Sequence, residues 1–202
     1  MIRHGKSSWE LNVSDKDRPL NQRGVDDAHN MGAFLEDQQC AIDAVFSSPA
    51  IRAAHTALIV SREMNLPMYK ISFSESLYDF SGEDVLEFVR CLDDTMDTVM
   101  TFGHNNACTS LAYSLADFTG DNIPTAGAVL FRFDVSLWSE ITKANAEYFF
   151  PKAMDSTSCP TCSAISPASS CPNKFIVPFS QNVQPILHPT WLLTHTVLWH
   201  LP

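Results

Sequence analysis

Three short apolar segments, far apart in the chain, each end in a polar motif, and this constrains the fold more than any other feature. The motifs are Arg3-His4-Gly5, Ser47-Ser48 and Gly103-His104. Segments with helical periodicity separate the apolar ones, and such alternation is typical of a largely parallel sheet with helices on both faces. Ligands of such sheets bind at the carboxyl ends of the strands. The sequence therefore predicts a three-layer α/β sandwich whose three motifs meet at one edge of the sheet.

The individual elements follow from hydrophobic periodicity and from turn residues. Helices are predicted at 20–39, 49–64, 82–92 and 108–118, and strands at 1–3, 44–47, 68–73, 98–102 and 128–133. Pro49 suits the first turn of its helix, because the N–H that it lacks is not needed there. Residues 137–141 indicate a further strand at the edge of the sheet.

The composition changes near residue 153. Residues 1–152 carry the strand and helix alternation, whereas residues 153–202 are rich first in Pro, Ser and Cys and then in apolar residues. Lys174 is the only Lys, Arg, Asp or Glu from Ser156 to Pro202. Prolines recur and no periodicity is sustained. We therefore predict one domain over 1–152 and a disordered or loosely packed tail over 153–202.

The tail contains one pattern that resembles a metal site. Cys159 and Cys162 form a CxxC pair, and Cys171 and His188 follow. A zinc site of this kind needs a second pair at matching spacing, which the tail lacks. We therefore expect no metal, and nothing in the sequence calls for another cofactor.

Charge and hydropathy exclude several classes of partner. The net charge of −10 argues against nucleic-acid binding, although a local arginine cluster can still draw an anion into a cleft. The start has no apolar secretory segment, and no run reaches the roughly 18 apolar residues of a membrane span. We therefore expect a cytoplasmic protein that binds neither nucleic acid nor membranes.

Two arginines and two histidines lie in or beside the three motifs. A phosphoryl group in transfer carries charge on three oxygens, so catalysis depends on positioning and electrostatic stabilisation. The planar guanidinium group suits this role, and the candidates are Arg3 and Arg52. A neutral histidine can act as the nucleophile while a protonated one donates to an equatorial oxygen. Together with His4 and His104, the arginines predict a phosphoryl pocket at the strand ends.

These residues stand in longer segments that resemble the histidine phosphatase superfamily, also called phosphoglycerate-mutase-like, and within it the SixA-type phosphohistidine phosphatases. The matching segments are 3–9, 17–20, 23–24, 47–53, 56–57, 77–78, 103–105 and 123–127. The resemblance implies that His4 is the nucleophile and becomes phosphorylated. It also implies that Arg3, Arg52 and His104 line the phosphate pocket, with Arg18 near its mouth. The implied partner is a protein carrying phosphohistidine or a small phosphorylated metabolite.

The general acid is left open by the sequence. Many members of the superfamily use an acidic residue after the third strand, and the candidates at that place are Glu75 and then Asp79. Either residue also fits a solvated loop carboxylate. A phosphohistidine substrate needs less help from an acid, because imidazole is a better leaving group than an alkoxide.

The chain departs from the family pattern at both ends. Only Met1 and Ile2 precede the first motif, where family members have several apolar residues of a central strand, so we expect a truncated first strand. The alternatives to an active hydrolase are therefore a non-catalytic phosphate-binding or interaction module and an inactive truncated product. A further possibility is that an apolar tail segment fills the place beside the sheet that the short strand leaves open.

Overall fold

The computed structural model describes residues 1–39, 41–151 and 174–176. In these residues the strands are β1 (Ile2–Arg3), β2 (Ala44–Ser47), β3 (Ile71–Phe73), β4 (Val99–Gly103), β5 (Ala128–Phe133), β6 (Asn145–Phe149) and β7 (Lys174–Ile176). The helices are α1 (Gln22–Asp37), α2 (Ile51–Glu63), α3 (Glu83–Arg90) and α4 (Asn105–Ala116). Short 3₁₀ helices span Met68–Lys70, Glu75–Leu77 and Trp138–Glu140.

The seven strands form one sheet in the order β3-β2-β4-β1-β5-β6, with β7 also paired to β5. Strands β1 to β4 pair in parallel, and β5 runs antiparallel to β1, β6 and β7. The sheet is thus mostly parallel. Two separate apolar cores lie against it, one formed with α1 and α2 and the other with α3 and α4. The predicted three-layer α/β sandwich is confirmed.

Apolar packing holds β1 in the centre of the sheet although the strand has only two residues. The side chain of Ile2 is fully buried in the core that α1 and α2 cover, together with Phe102 of β4 and Met31 and Leu35 of α1. Burial of one such side chain contributes about 1.5–3 kcal/mol. The strand that carries the first motif is therefore anchored by its neighbours rather than by its own length.

Backbone contacts fix the chain that follows β1. A Cβ atom on Gly24 would lie 2.1 Å from the carbonyl oxygen of Lys6, and one on Gly5 would lie 2.5 Å from that of Gly24. The side chain of Asn21 caps α1 by accepting a hydrogen bond from Gly24 N at 2.9 Å. The first turn of α1 therefore packs backbone to backbone against the residues after His4, and both positions require glycine.

Two sequence predictions need correction at the sheet edges. The strand predicted at 137–141 is wrong, because Trp138 turns inward in a 3₁₀ helix and is fully buried. Its indole N–H donates to the carbonyl of Met96 at 2.9 Å. The edge strand is β6 instead. The strand predicted at 68–73 is also shorter, since its first half forms a 3₁₀ helix.

Strand β7 lies in line with β1. Ile2 pairs with Ala128 of β5, and further along the same edge of β5 Ile176 pairs with Phe131. Both short strands run antiparallel to β5, and β6 occupies its other edge. The pairing of β7 with β5 agrees with the possibility that a tail segment takes the place beside the short first strand. The remaining tail, including Cys159, Cys162, Cys171 and His188, lies outside the described residues, so the domain division at residue 153 stays a prediction.

The described part of the chain gives two further findings on ligands and membranes. Within it, no group of three or more His, Cys, Asp or Glu side chains is placed to hold a metal ion. None of its helices combines the length and apolar character needed to cross a bilayer.

Candidate active site

The backbone of His4 is fixed from two sides. Its N–H donates to the carbonyl of Gly103 at 3.0 Å, and its own carbonyl accepts from Ala126 N at 3.2 Å. Ala126 has a φ of 56°, a left-handed conformation that costs a residue with a Cβ atom about 1–2 kcal/mol. The end of β1 is therefore clamped between the end of β4 and the turn that precedes β5.

The ring of His4 is held in one tautomer. Its Nδ1 lies 2.7 Å from the carbonyl oxygen of Gly5, and Arg52 Nε donates to its Nε2 at 3.2 Å. A guanidinium group can only donate, so Nε2 must be the unprotonated acceptor and Nδ1 must carry the proton. Thr56 supports both partners, because its Oγ1 accepts from Gly5 N at 3.0 Å and donates to the carbonyl of Arg52 at 2.7 Å.

His104 faces the same guanidinium group from the start of α4. Arg52 Nη2 lies 3.3 Å from His104 Nδ1, and the ring centroids of the two histidines are 5.2 Å apart. Ser48 Oγ lies 2.9 Å from His104 Nε2. Residues from three separate motifs thus meet through direct contacts, as the sequence predicts for strand ends.

The surroundings of both histidines favour the neutral form of the ring. Burial lowers the pKa of His4 to about 4, with further lowering by the charges of Arg52 and Arg3. Burial also lowers the pKa of His104 to about 3, and the charge of Arg52 acts in the same direction. The environment therefore keeps the Nε2 lone pair of His4 available.

Folding stability is expected to fall as the pH drops from about 6.5 towards 4. Unfolded histidines protonate near pH 6.5, but His4 and His104 resist protonation in the folded protein, so the unfolded state binds more protons in this window. One such group contributes on the order of 3 kcal/mol between neutral pH and pH 4. Urea unfolding between pH 7 and pH 4.5 measures this. His104→Asn should flatten the pH dependence of the unfolding free energy, and the control His55→Asn, which removes an exposed histidine, should leave it unchanged. Equal slopes in all three proteins would contradict neutral buried histidines.

Arg3 lies on the other side of His4. Its Nη1 donates to the carbonyl of Ile123 and lies 3.4 Å from Asn122 Oδ1. Within the described residues, Arg3 Nε is buried and has no hydrogen-bond partner. Its charge acts on the His4 ring, whose pKa it lowers. The structure therefore brings Arg3 to the edge of the cluster but shows no direct contact with the other candidate side chains.

Asp15 belongs to the same cluster, and sequence reasoning missed it. Its Oδ2 accepts from Arg52 Nη2 at 2.8 Å and from the hydroxyl of Tyr78 at 2.7 Å, and its Oδ1 accepts from Arg18 Nη1 at 3.0 Å. Its main-chain carbonyl accepts from Arg52 Nη1. Burial alone would raise the pKa of Asp15, but the hydrogen bonds from Tyr78 and Arg52 outweigh it and lower the pKa to about 2. The sequence contains only one hint, the three-residue spacing to Arg18.

Arg18 reaches the cluster through Asp15. It is buried, and its other nitrogens donate to the carbonyl of Ser8 at 3.2 Å and to the hydroxyl of Ser7. The ring of Trp9 covers its guanidinium carbon at 3.2 Å from the ring centroid. Arg18 thus ties the loop after β1 together and joins it to Arg52 through Asp15.

The two acid candidates have different surroundings. Glu75 Oε2 lies 2.6 Å from Lys16 Nζ, and 72% of its side chain is exposed. Asp79 instead accepts from Ser81 N at 2.6 Å and Gly82 N at 2.7 Å at the start of α3. Burial would raise the pKa of Asp79, but these hydrogen bonds lower it overall. Asp79 therefore binds backbone N–H groups at the start of α3 and is a poor proton donor, and the role of Glu75 stays a prediction.

Comparisons with known proteins agree with this geometry. The chain matches the family model of the histidine phosphatase superfamily (branch 1) over residues 1–85. It is 30% identical over 135 residues to the uncharacterized protein Rv1276c of Mycobacterium tuberculosis, covering 67% of this chain and 82% of that protein.

Two solved structures share the fold at low identity. The protein histidine phosphatase SixA complexed with tungstate superposes with a TM-score of 0.61 and 21% identity, covering 76% of this chain and 96% of that chain. The mycobacterial glucosyl-3-phosphoglycerate phosphatase Rv2419c superposes with a TM-score of 0.53 and 15% identity, covering 74% of this chain and 96% of that chain. From the family model and the mycobacterial relative, we conclude that the chain belongs to the histidine phosphatase superfamily (branch 1).

Proposed function

We propose that this protein is a phosphatase that hydrolyses a phosphorylated substrate through a phosphohistidine intermediate on His4. The observation that carries the proposal is the state of the His4 ring. Its Nδ1 proton is directed to the Gly5 carbonyl at 2.7 Å, and its Nε2 lone pair faces the Arg52 guanidinium at 3.2 Å. A phosphoryl group bound by Arg52 would therefore stand next to an unprotonated nucleophile.

The reaction takes two displacements at phosphorus. In the first, His4 Nε2 forms a bond to phosphorus and the bond to the leaving group breaks. In the second, a water molecule attacks the phosphorus of phosphohistidine, inorganic phosphate leaves and neutral His4 is restored. In both, Arg52 and Arg3 stabilise negative charge on the equatorial oxygens. The buried Nε of Arg3 is a donor that an oxyanion would satisfy.

The hydroxyl group of Ser48 allows the His104 ring to donate a hydrogen bond to the phosphoryl group while the ring stays neutral. Nδ1 of His104 accepts from Arg52, so Nε2 carries the proton and donates to Ser48 Oγ at 2.9 Å. A hydroxyl group can donate as well as accept. If the Ser48 hydroxyl donates to Nε2 instead, the proton of the neutral ring lies on Nδ1 and points to the phosphoryl group. The low pKa of His104 is then compatible with its role as a donor.

We propose that the substrate is another protein, one that carries phosphohistidine. Large apolar side chains stand exposed near the pocket, including Trp9 above Arg18 and Phe80 beside the His104 ring. Glu75 is our candidate for the proton donor to poorer leaving groups because of its position after the third strand, and it pairs there with Lys16, the neighbour of Asp15 in the sequence. The imidazole of phosphohistidine needs little such help.

The test combines a substrate series with trapping of the intermediate. We expect phosphate release from a phosphohistidine peptide and from an aryl phosphate, with slower release from an alkyl phosphate such as a sugar phosphate. Rapid quenching with a radiolabelled substrate should label the tryptic peptide that contains His4, with the alkali-stable and acid-labile character of phosphohistidine. Faster turnover of the alkyl phosphate would assign the protein to small metabolites. Tight phosphate binding without any turnover would support a non-catalytic binding module instead.

A further inference from the structure

The loop between β1 and α1 places a carboxylate on the arginine donors of the pocket. Asp15 Oδ2 and the Asp15 carbonyl accept from both terminal nitrogens of Arg52, and Asp15 Oδ1 accepts from Arg18. Each carboxylate oxygen thus bonds a different guanidinium group. Two arginines would bind two oxygens of a phosphoryl group in the same way.

The donors of Arg52 are almost fully engaged in this arrangement. Nε donates to His4, Nη2 contacts both Asp15 and His104, and Nη1 donates to the Asp15 carbonyl. A phosphoryl group attacked by His4 Nε2 needs the donors that face His4 and His104. Its negative charge would also lie close to the carboxylate of Asp15, and like charges repel at such distances. The carboxylate and the phosphoryl group therefore compete.

Asp15 is the more exposed partner of its ion pair with Arg52. Its side chain is 45% exposed, although its partner Arg52 is 3% exposed. It lies in a loop outside the helices and strands, and the hydroxyl of Tyr78 is its only side-chain partner among the described residues besides the two arginines. When the contacts to the arginines break, water can solvate the exposed carboxylate. Arg52 is buried and stays hydrogen-bonded to His4.

We propose that Asp15 is a gating carboxylate, which holds the phosphate-binding donors of Arg52 and Arg18 in the free protein and is displaced when a doubly charged phosphoryl group binds. This inference rests on the proposed function, because it takes the pocket to be the phosphoryl site. Asp15 is then a specificity-determining residue. An anion with a single charge, such as a phosphodiester, competes poorly with a carboxylate that is already in place, and a phosphomonoester or phosphoramidate dianion competes well.

Calorimetric titration with inorganic phosphate at constant ionic strength tests the proposal without any turnover. Asp15→Asn should lower the Kd by about ten- to a hundredfold, the range that one or two charge-assisted hydrogen bonds correspond to. Asp17→Asn removes a charge from the same loop, where the carboxylate bonds Ser14, and should leave the Kd within about twofold. A Kd of Asp15→Asn that is unchanged or higher would overturn the proposal, since Asp15 would then orient the arginines for the ligand.

A second variant distinguishes competition between the Asp15 carboxylate and phosphate from the effect of a changed net charge. Tyr78→Phe removes one hydrogen bond from the Asp15 carboxylate without a change of net charge, and it keeps the ring beside His104. A less firmly held carboxylate should lower the Kd for phosphate by about threefold, the size expected for a weak hydrogen bond. No decrease in this variant would overturn the proposal even if Asp15→Asn binds more tightly.

Crystals grown with and without phosphate give a direct structural readout. With phosphate bound, the distance between Asp15 Oδ2 and Arg52 Nη2 should increase from 2.8 Å to well beyond hydrogen-bond range. A carboxylate that keeps this contact beside bound phosphate would overturn the proposal. Thermal melting of each variant checks that it folds. Since binding is measured apart from hydrolysis, failure here would leave the phosphatase proposal intact, and a protein without turnover could still show the expected order of Kd values.

Discussion

Replacing His4 by alanine is expected to reduce phosphate release by roughly 10⁴- to 10⁶-fold, the loss typical of a missing nucleophile. The reason is that no other group can take its place. The second histidine of the pocket, His104, points Nδ1 at the same guanidinium group but is bonded to Ser48 through Nε2 and lies at the start of a different helix. Steady-state rates with the phosphohistidine peptide and the aryl phosphate measure the effect, and the quench experiment should show no labelled protein.

The matched control is His29→Ala. His29 lies on α1, pairs with Glu63 at 2.7 Å and belongs to none of the strand-end motifs. We expect this variant to keep the wild-type rate. The His4→Ala protein should also still bind inorganic phosphate, because the arginines remain. Residual activity within about a hundredfold of wild type, above the range for a lost nucleophile, would contradict catalysis through His4.

Replacing Arg52 by alanine is expected to lower kcat/KM by about 10³-fold or more, the range reported for loss of one transition-state donor or of a phosphoryl-transfer arginine. Arg52 is the one described side chain that contacts both histidines, through Nε and Nη2. Its loss removes charge stabilisation and also the group that holds the His4 ring. Arg52→Lys should recover little, since a single ammonium group cannot reach both rings and Asp15 together.

The control for this prediction lies in the same helix. Arg62 stands in the last turn of α2 and is exposed, so Arg62→Ala should leave kcat/KM unchanged. Saturation kinetics separate the two contributions of Arg52: lost charge stabilisation lowers kcat, and lost ground-state binding raises KM. An Arg52→Lys enzyme with nearly full kcat would mean that only the positive charge matters, and the bidentate geometry would then have no catalytic role.

The sequence could predict the meeting of the histidines and arginines because the signal is local. His4, Arg52 and His104 each follow a short apolar segment, and strand ends of a parallel sheet share one edge. Asp15 carries no such signal, because it lies in a polar loop and its partners Arg52 and Tyr78 are 37 and 63 residues away. Such contacts depend on the path of the loop, which no periodicity encodes.

The edge of the sheet was harder to predict than its centre. The residues around Trp138 have the apolar character of a strand, but burial of the indole ring against the core decides their conformation. That a tail segment takes the place beside the short first strand was only one of several possibilities, and neither the segment nor its partner β5 could be named, because the tail has no sustained periodicity. Packing decides the first region, and the second is described only by its pairing with β5.

The central position of β1 also determines when during synthesis the site can be assembled. Ile2 finds its sheet partners at Phe102 and Ala128, so the strand before His4 cannot be ordered until both have left the ribosome. At typical synthesis rates of about 5–20 residues per second, the time between the synthesis of Ile2 and that of Ala128 is roughly 6–25 s. During that time the helices and strands between them can form local contacts, but a nascent chain has no phosphoryl pocket. Chaperones and proteases would therefore meet this part of the protein before any phosphorylated substrate could.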